Sequence, residues 1–141
     1  MRQNAVDAVL NANYLRVRLA DSYPVPFDRM AMHEFVCEGH VPGSTVRAID
    51  ICKRLMDHGF HPPISCFPLI VREALMIEPT ETESKATLDA FVDAMRQIAD
   101  EAKSAPEKLR QAPHETPVRR LDEVCAARQL TVVDQHREQP D

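Results

Sequence analysis

Glycine is scarce in this chain, which contains only three glycines among its 141 residues. A dinucleotide-binding Gly-x-Gly-x-x-Gly turn or a phosphate-binding P-loop needs closely spaced glycines, because its backbone must approach the phosphate groups. Gly39, Gly43 and Gly59 do not have that spacing. The sequence therefore excludes both kinds of loop and shows no cradle for a phosphorylated cofactor.

Long apolar runs and a basic charge excess are also missing. No stretch approaches the roughly 20 apolar residues of a membrane-spanning helix, and residues 1–7 lack the apolar centre of a signal peptide. The net charge of -5 argues against a DNA- or RNA-binding surface, which usually carries excess positive charge. We therefore expect a cytoplasmic protein without nucleic-acid or membrane partners.

Cysteine and histidine are present, but their spacing is not that of a metal site or a disulfide framework. The chain has four widely separated cysteines: Cys37, Cys52, Cys66 and Cys125. We expect them to be free thiols, since none forms a Cys-x-x-Cys pair. His58 and His61 are three residues apart, but Gly59 interrupts a helix between them, so we expect no zinc site.

Cys66 could be imagined as a nucleophile activated by His61 or His33. No third group that would orient such a pair is apparent in the sequence. We therefore favour a buried structural thiol at Cys66 and a hydrogen-bonded structural role for His33, and we assign no catalytic residue to either.

What is present is an alternation of helical and extended patterns. The apolar spacing predicts helix, strand, helix, strand and helix, at residues 5–20, 32–37, 45–58 and 74–78 and from a cap near Thr80 to about residue 102. Three prolines make segment 60–69 extended and shaped, and they exclude a central strand there. This order predicts a two-layer α/β (α+β) domain with helices on one face of a thin sheet.

The ends of the predicted helices carry capping signals. Ser44 or Thr45 can cap the second helix at its N-terminus, and Gly59 lies where a C-terminal glycine is expected. Thr80 with Glu83 three residues later predicts a capping box for the third helix.

The pattern becomes polar and proline-rich after residue 104. We therefore assign residues 1–104 to the domain, with its leading linker helix, and residues 105–141 to an extended C-terminal arm. The arm is expected to pack against something larger, to include a short helix at residues 120–128, and to end in disorder.

Several segments, in order along the chain, resemble the glycine decarboxylases, the P-proteins of the glycine cleavage system. The strongest match is residues 74–85, ALMIEPTETESK, and residues 116–124 are similar to the second subunit of the two-subunit form. The other matching segments are residues 11–15, 32–35, 48–55, 59–63, 67–71, 88–91 and 112–114.

The resemblance implies the small C-terminal domain of a fold type I, aminotransferase-like enzyme that depends on pyridoxal phosphate. In that family the cofactor, its Schiff-base lysine and its phosphate loop belong to a large domain upstream, so this chain is expected to be catalytically incomplete alone. The family transfers the aminomethyl group of glycine to the lipoyl group of H-protein and releases CO₂. The implied partners are the large domain, the other P-protein subunit, lipoylated H-protein and glycine.

The lysines of this chain do not change that expectation. They fall among charged neighbours on predicted helix surfaces or near helix ends, as Lys53, Lys85, Lys103 and Lys108. A solvated face explains them better than a buried imine, so we expect no cofactor-binding residue and no metal in this chain.

A closing domain would meet its ligand at the loop before the second strand and at the turn after it. The candidate cleft residues are His61, Pro62, Pro63, Glu78, Thr80 and Glu81. Chemistry alone favours a structural reading of residues 78–83, as a strand end followed by a helix cap whose acids suit the helix dipole. For the chain as a whole, the rival hypothesis is a stand-alone, non-enzymatic α/β interaction module.

Overall fold

A computed structural model of the protein describes residues 1–130 and 132. The end of the predicted C-terminal arm, for which disorder is expected, lies outside these residues. The elements are α1 (Arg2–Leu19), β1 (Phe35–Glu38), α2 (Ala48–Asp57), β2 (Ile64–Ser65), β3 (Ala74–Ile77), α3 (Lys85–Ser104), α4 (Pro106–Gln111) and α5 (Glu123–Arg128).

The three strands form one antiparallel sheet in the order β1-β3-β2. Phe35 lies opposite Ile77, and Cys37 lies opposite Leu75, and all four side chains are buried in the core. The helices and a few loop residues supply the rest of that core, so the described chain is a small mixed α+β fold of a helical layer on a sheet. This confirms the predicted α+β class.

The helices form where their apolar residues recur at three- and four-residue intervals. On α3 the apolar side chains that recur in this way, such as Val92, Met95 and Ile98, are buried. The Tyr23 hydroxyl donates a hydrogen bond to the Met95 carbonyl at 2.8 Å. Gly59 follows the end of α2 at φ +79°, the left-handed conformation that a glycine adopts at little cost. Within the described residues, no helix combines the length and apolarity needed to cross a bilayer.

Both predicted N-terminal caps are wrong. The cap of α3 is Ser84, whose hydroxyl accepts from the Thr87 amide at 3.1 Å, whereas the Thr80 hydroxyl pairs with that of Thr82. The cap of α2 is Arg47, whose amide donates to Asp50 at 2.9 Å. Several residues before each helix have capping chemistry, and long-range contacts decide which of them is used.

The long-range contact that competes for Ser44 is visible. Its hydroxyl donates to the Ala102 carbonyl near the end of α3 at 2.7 Å. Ser44 therefore ties the loop before α2 to α3 and does not begin α2.

The first predicted strand is shifted, because β1 begins three residues later than residue 32 and ends one residue later than residue 37. The side-chain amide of Asn13 on α1 donates to the Ala31 carbonyl at 2.8 Å and accepts from the Ala31 amide at 3.0 Å. Residues before β1 thus pair with a helix side chain, and the partner strand β3 ends at Ile77 opposite Phe35. β2 is a two-residue edge strand, in agreement with the exclusion of a central strand from residues 60–69.

Residues after 104 also contribute to the packed structure. Leu109 on α4 and Ala112 after it are fully buried, and α5 occupies the place predicted for a short helix but buries none of its residues. The division of the chain at residue 104 stays a prediction.

A buried ion network joins α2, α3 and the segment after α4. The Arg54 guanidinium donates to Glu101 at 2.8 and 3.2 Å and to Asp57 at 3.0 Å. Asp57, whose side chain is 1% exposed, also accepts from the backbone amides of His114 and Glu115 at 2.5 and 2.9 Å. The network therefore holds together three segments that are distant in sequence.

The network also shifts carboxylate pKa values. Burial disfavours the charged form of Glu101, but hydrogen bonds from Arg54, Lys108 and Gln97 outweigh it and lower its pKa from 4.5 to about 2. Burial likewise opposes ionisation of Asp57, and the amides of Glu115 and His114 together with Arg54 lower its pKa.

Because both folded-state pKa values are lowered, ionised Glu101 and Asp57 stabilise the fold above their unfolded-state pKa values, and this stabilisation is lost as the pH falls. For Glu101 the free energy of unfolding should decline between about pH 4.5 and pH 2. Glu101→Gln should lower it at pH 7 by about 2 kcal/mol, since charge-assisted hydrogen bonds weaken while Arg54 stays buried. Urea unfolding at a series of pH values measures both effects.

Glu107→Gln is the matched control, because that carboxylate is 67% exposed and pairs with Arg110 at the surface of α4. Its effect should stay within about 0.5 kcal/mol and leave the acid profile unchanged. If Glu101→Gln left the slope between pH 4.5 and 2 as steep as in the parent chain, the network would not be a source of acid sensitivity.

Candidate functional site

A depression of about 460 Å³ lies where segment 60–64, the end of β3 and the first turns of α3 meet. It joins three regions of the chain that are separated in sequence: Leu15 of α1, residues 60–64 and residues 76–91. Its walls combine apolar, hydroxyl and carboxylate side chains, contributed by Leu15, Phe60, His61, Pro62, Pro63, Ile64, Met76, Ile77, Glu78, Pro79, Thr80, Glu83, Thr87, Leu88 and Phe91.

Two aromatic rings form the apolar part of the depression. Phe60, just after α2, meets Phe91 of α3 edge to face, with ring centroids 5.4 Å apart and ring planes at 84°. This arrangement directs the positive edge of one ring at the negative face of the other. Both rings pack against the core, so this wall is held by the fold itself.

Polar groups lie around the rim. Glu78 follows β3 directly, its carboxylate is half exposed, and its Oε1 lies 3.7 Å from Nε2 of His33. Glu83 and Thr87 face the depression from the opposite side, just before and just inside α3. An incoming molecule would therefore meet hydrogen-bond acceptors at the rim and an apolar interior beyond them.

The turn between β3 and α3 is anchored from α1. Asn11 is buried, and its side-chain amide donates to the Thr80 carbonyl at 2.9 Å. A buried polar side chain needs such a partner, since an unpaired amide would cost free energy. Sequence reasoning missed Asn11, and its only signal is a polar residue among the apolar residues of α1.

The structure brings together five of the six residues predicted for the cleft. His61, Pro62, Pro63, Glu78 and Thr80 all line the depression. Their functional role stays a prediction.

The sixth, Glu81, does not line it. Its carboxylate accepts from the Asn4 side chain on α1 at 3.4 Å, which places it on the α1 side of the turn. Leu88 and Phe91 of α3 also line the depression, and the sequence analysis did not name them as candidate cleft residues. The apolar spacing of α3 does not show that these residues contact the core and also line a depression, because that depends on which elements cover each end of the helix.

The expectation of a buried thiol at Cys66 is wrong, because Cys66 is exposed. Cys37 and Cys52 are the buried thiols, and burial raises their pKa values to about 12 and about 11. Cys52 lies behind the depression, with Sγ 3.7 Å from the Pro63 carbonyl. A protonated thiol in that position supports the wall of the depression and is a poor nucleophile.

Lysines and metal-ligand clusters do not contribute to this site. No lysine lines the depression. The ammonium groups of two lysines form ion pairs elsewhere, Lys85 with Asp89 at 2.6 Å and Lys108 with Glu101 at 2.7 Å. Among residues 1–130 and 132, no three histidine, cysteine, aspartate or glutamate side chains group as metal ligands would. The residues that line the depression can therefore position and enclose a ligand, but none of them supplies an amine for a carbonyl compound.

Comparison with known proteins identifies relatives of this chain. Residues 4–120 match the family described as "Glycine dehydrogenase, C-terminal domain". Curated relatives called "Probable glycine dehydrogenase (decarboxylating) subunit 2" include that of Caldanaerobacter subterraneus, which is 62% identical over 122 residues, 86% of this chain and 25% of the relative. The relative from Chlorobaculum tepidum is 54% identical over 138 residues, 96% of this chain and 28% of its own length.

The relative from Listeria innocua has the same name and is 59% identical over 122 residues, 86% of this chain and 25% of its own length. The chain thus spans about a quarter of the length of the curated relatives that it matches.

If the aromatic pair supports the depression, Phe91→Ala should lower the free energy of unfolding by roughly 2 kcal/mol. The change removes a half-buried ring and its edge contact with Phe60 and leaves a cavity. Chemical denaturation of the purified chain measures the loss. Phe67→Ala serves as a control, since Phe67 is 56% exposed and its removal should cost less than about 0.5 kcal/mol. Equal losses for the two variants would contradict the assigned role of Phe91.

Proposed function

The chain belongs to the family of glycine dehydrogenase C-terminal domains, and from this membership we propose that it is the small domain of a pyridoxal-phosphate-dependent glycine decarboxylase. The observation that carries the proposal is the match over residues 4–120, at more than half identity to subunits about four times as long. The parent protein would have the fold type I architecture, in which a small domain closes over a site on a large one.

The proposed role of this chain is to shape one side of the cleft. Pro62 and Pro63 have restricted backbones, so they present a fixed apolar wall at little further entropic cost. The aromatic pair behind them excludes water, which strengthens electrostatic interactions at the rim. Glu78, Thr80 and His61 are the groups we propose to contact a ligand there.

The reaction assigned to the parent protein is decarboxylation of glycine with transfer of the aminomethyl group to the lipoyl arm of H-protein. Glycine is small and charged, whereas a lipoyl arm is long and largely apolar. The depression offers an apolar interior behind a polar rim, a combination that supports placing the arm and its carrier on this side of the cleft.

Pyridoxal phosphate does not fit the described residues of this chain. An enzyme holds it through a lysine imine and binds its phosphate at a loop or helix N-terminus. No lysine lines the depression, and Lys85 of α3 and Lys108 of α4 form ion pairs at the surface. In this proposal the cofactor therefore belongs to the large domain.

The isolated chain mixed with pyridoxal phosphate and borohydride should give no stoichiometric lysine adduct by intact-mass measurement. The longer parent protein, treated identically, should give one adduct per large domain. Stoichiometric trapping on the isolated chain would refute the proposal that the large domain alone binds the cofactor. If a large domain were encoded neither in the same gene as this chain nor as a separate subunit, that would favour the stand-alone interaction module.

In the longer protein, Glu78→Gln should lower kcat/KM for the H-protein-dependent exchange of glycine with CO₂ by about tenfold, or ~1.4 kcal/mol. The amide keeps the size of the side chain and removes the rim charge. Glu107→Gln is the control because Glu107 is exposed on α4, outside the depression. If both variants lose activity equally, or neither does, Glu78 does not face the reacting cleft.

A further inference from the structure

We propose that the side of the sheet that faces away from the helical core, together with the loop after β2, forms the surface through which this chain docks on the large domain of its parent protein. We call this surface the outer face, and it comprises Val36, Ile64, Phe67, Leu69, Ile70 and Met76. The inference rests on the proposed function, because that proposal supplies the large domain.

The register of the sheet creates the first half of the outer face. Val36 of β1 and Ile64 of β2 both lie opposite Met76 of β3, so the three side chains form one row across all three strands. Successive side chains along a strand point to opposite sides, so this row faces away from the core side chains Phe35 and Leu75. Ile64 is 56% exposed, Val36 and Met76 are half-buried, and all three side chains are apolar.

The loop after β2 extends this apolar surface. Leu69 and Ile70 are 87% and 83% exposed, and Phe67 is 56% exposed. An exposed leucine alone needs no explanation, but contiguous exposed apolar residues beside an open sheet face mark an interaction site.

The structure holds this loop in position. Cys66 and Glu73 flank it at φ +63° and +49°, left-handed conformations that disfavour residues with a side chain. The Cys66 amide donates to the Ala74 carbonyl at 2.8 Å. Val71 at the base of the loop is buried. The exposure of the loop is therefore built into the fold.

Glu73 anchors the other end of the loop twice. Its carbonyl accepts from the Gly39 amide at 2.7 Å, and its carboxylate accepts from the Ala48 amide at the start of α2 at 2.8 Å. A Cβ on Gly39 would lie 2.7 Å from both the Glu73 carbonyl oxygen and the Ala48 Cβ, so this close contact between the two backbones leaves no room for a side chain at residue 39. The loop thus keeps its apolar residues outward at a fixed place beside the sheet.

The occupant we assign is the large domain. The core side chains of α1, α2 and α3 pack on the inner side of the sheet, and on the other side Ile64 and Met76 of the outer face also line the depression. The curated relatives contain about three times as much polypeptide again as the part this chain spans, which is enough to provide a covering domain. An apolar surface displayed next to a ligand-sized depression is what a closing domain needs, because docking then seals the cleft.

Cys66 is a native probe of this surface, since it is exposed next to Phe67, and Cys125 on α5 is an exposed internal reference. The experiment measures thiol alkylation of both cysteines by peptide mass spectrometry, in this chain alone and in the longer protein. In the longer protein, docking should slow the alkylation of Cys66 at least tenfold relative to that of Cys125. Leu69→Glu with Ile70→Glu should restore the Cys66 rate there while leaving the circular dichroism and melting temperature of the isolated chain unchanged.

An unchanged ratio of the two alkylation rates would overturn the proposal. So would protection of Cys66 in the isolated chain that increases with its concentration, because the occupant would then be a second copy. Cofactor absorbance and CO₂ release from the same longer protein separate the two proposals. A protected Cys66 without cofactor refutes the proposed function alone, whereas bound cofactor with a reactive Cys66 refutes the docking surface alone.

Discussion

The buried guanidinium of Arg54 imposes a constraint on which much of the structure depends. Removing a charge from water is expensive, and the cost is recovered only when every donor meets a well-placed acceptor. Glu101 and Asp57 provide those acceptors from α3 and from the last turn of α2, and Asp57 also receives the amides of His114 and Glu115. A partly formed network would leave buried charge unpaired, so α2, α3 and the segment after α4 have one favourable arrangement.

That arrangement decides where the depression forms. The C-terminal half of α3 is tied to α2 by Arg54, and its N-terminal half is covered by Phe60, Leu15 and the turn that follows β3. Asn11 holds that turn from α1 through the Thr80 carbonyl. The rim residues are therefore placed by contacts among helices and strands that are themselves fixed, which suits a site that must present groups at constant positions.

The distribution of chemistry within the domain is consistent with a supporting role in a larger catalyst. Carboxylates and hydroxyls lie at the rim of the depression, the buried thiols have raised pKa values, and Lys85 and Lys108 form ion pairs at the surface. The sheet has one side packed against helices, and its other side carries an apolar row of Val36, Met76 and Ile64 beside an outward-facing loop. Both features make sense together if the domain contributes walls and a contact surface, while the reacting groups come from the polypeptide that it meets.

The sequence by itself determined the elements whose signal is local. The apolar stripe of α3, the glycine after α2, the prolines that confine β2 to an edge and the strand at residues 74–77 follow from backbone and side-chain preferences. The matched segments also identified the family, because residues 74–85 preserve a continuous motif.

Only the tertiary structure decided between groups that could act equally well. Ser44 had capping chemistry but bonds to α3, Asn13 takes the place of a strand partner for Ala31, and Glu81 turns toward α1. The exposure of Cys66 and the pairing of Arg54 with Glu101 also depend on residues far away in sequence. A hydrogen-bonding group has many nearby partners of similar energy, so its choice is made by the distant segments that the folded core brings within reach.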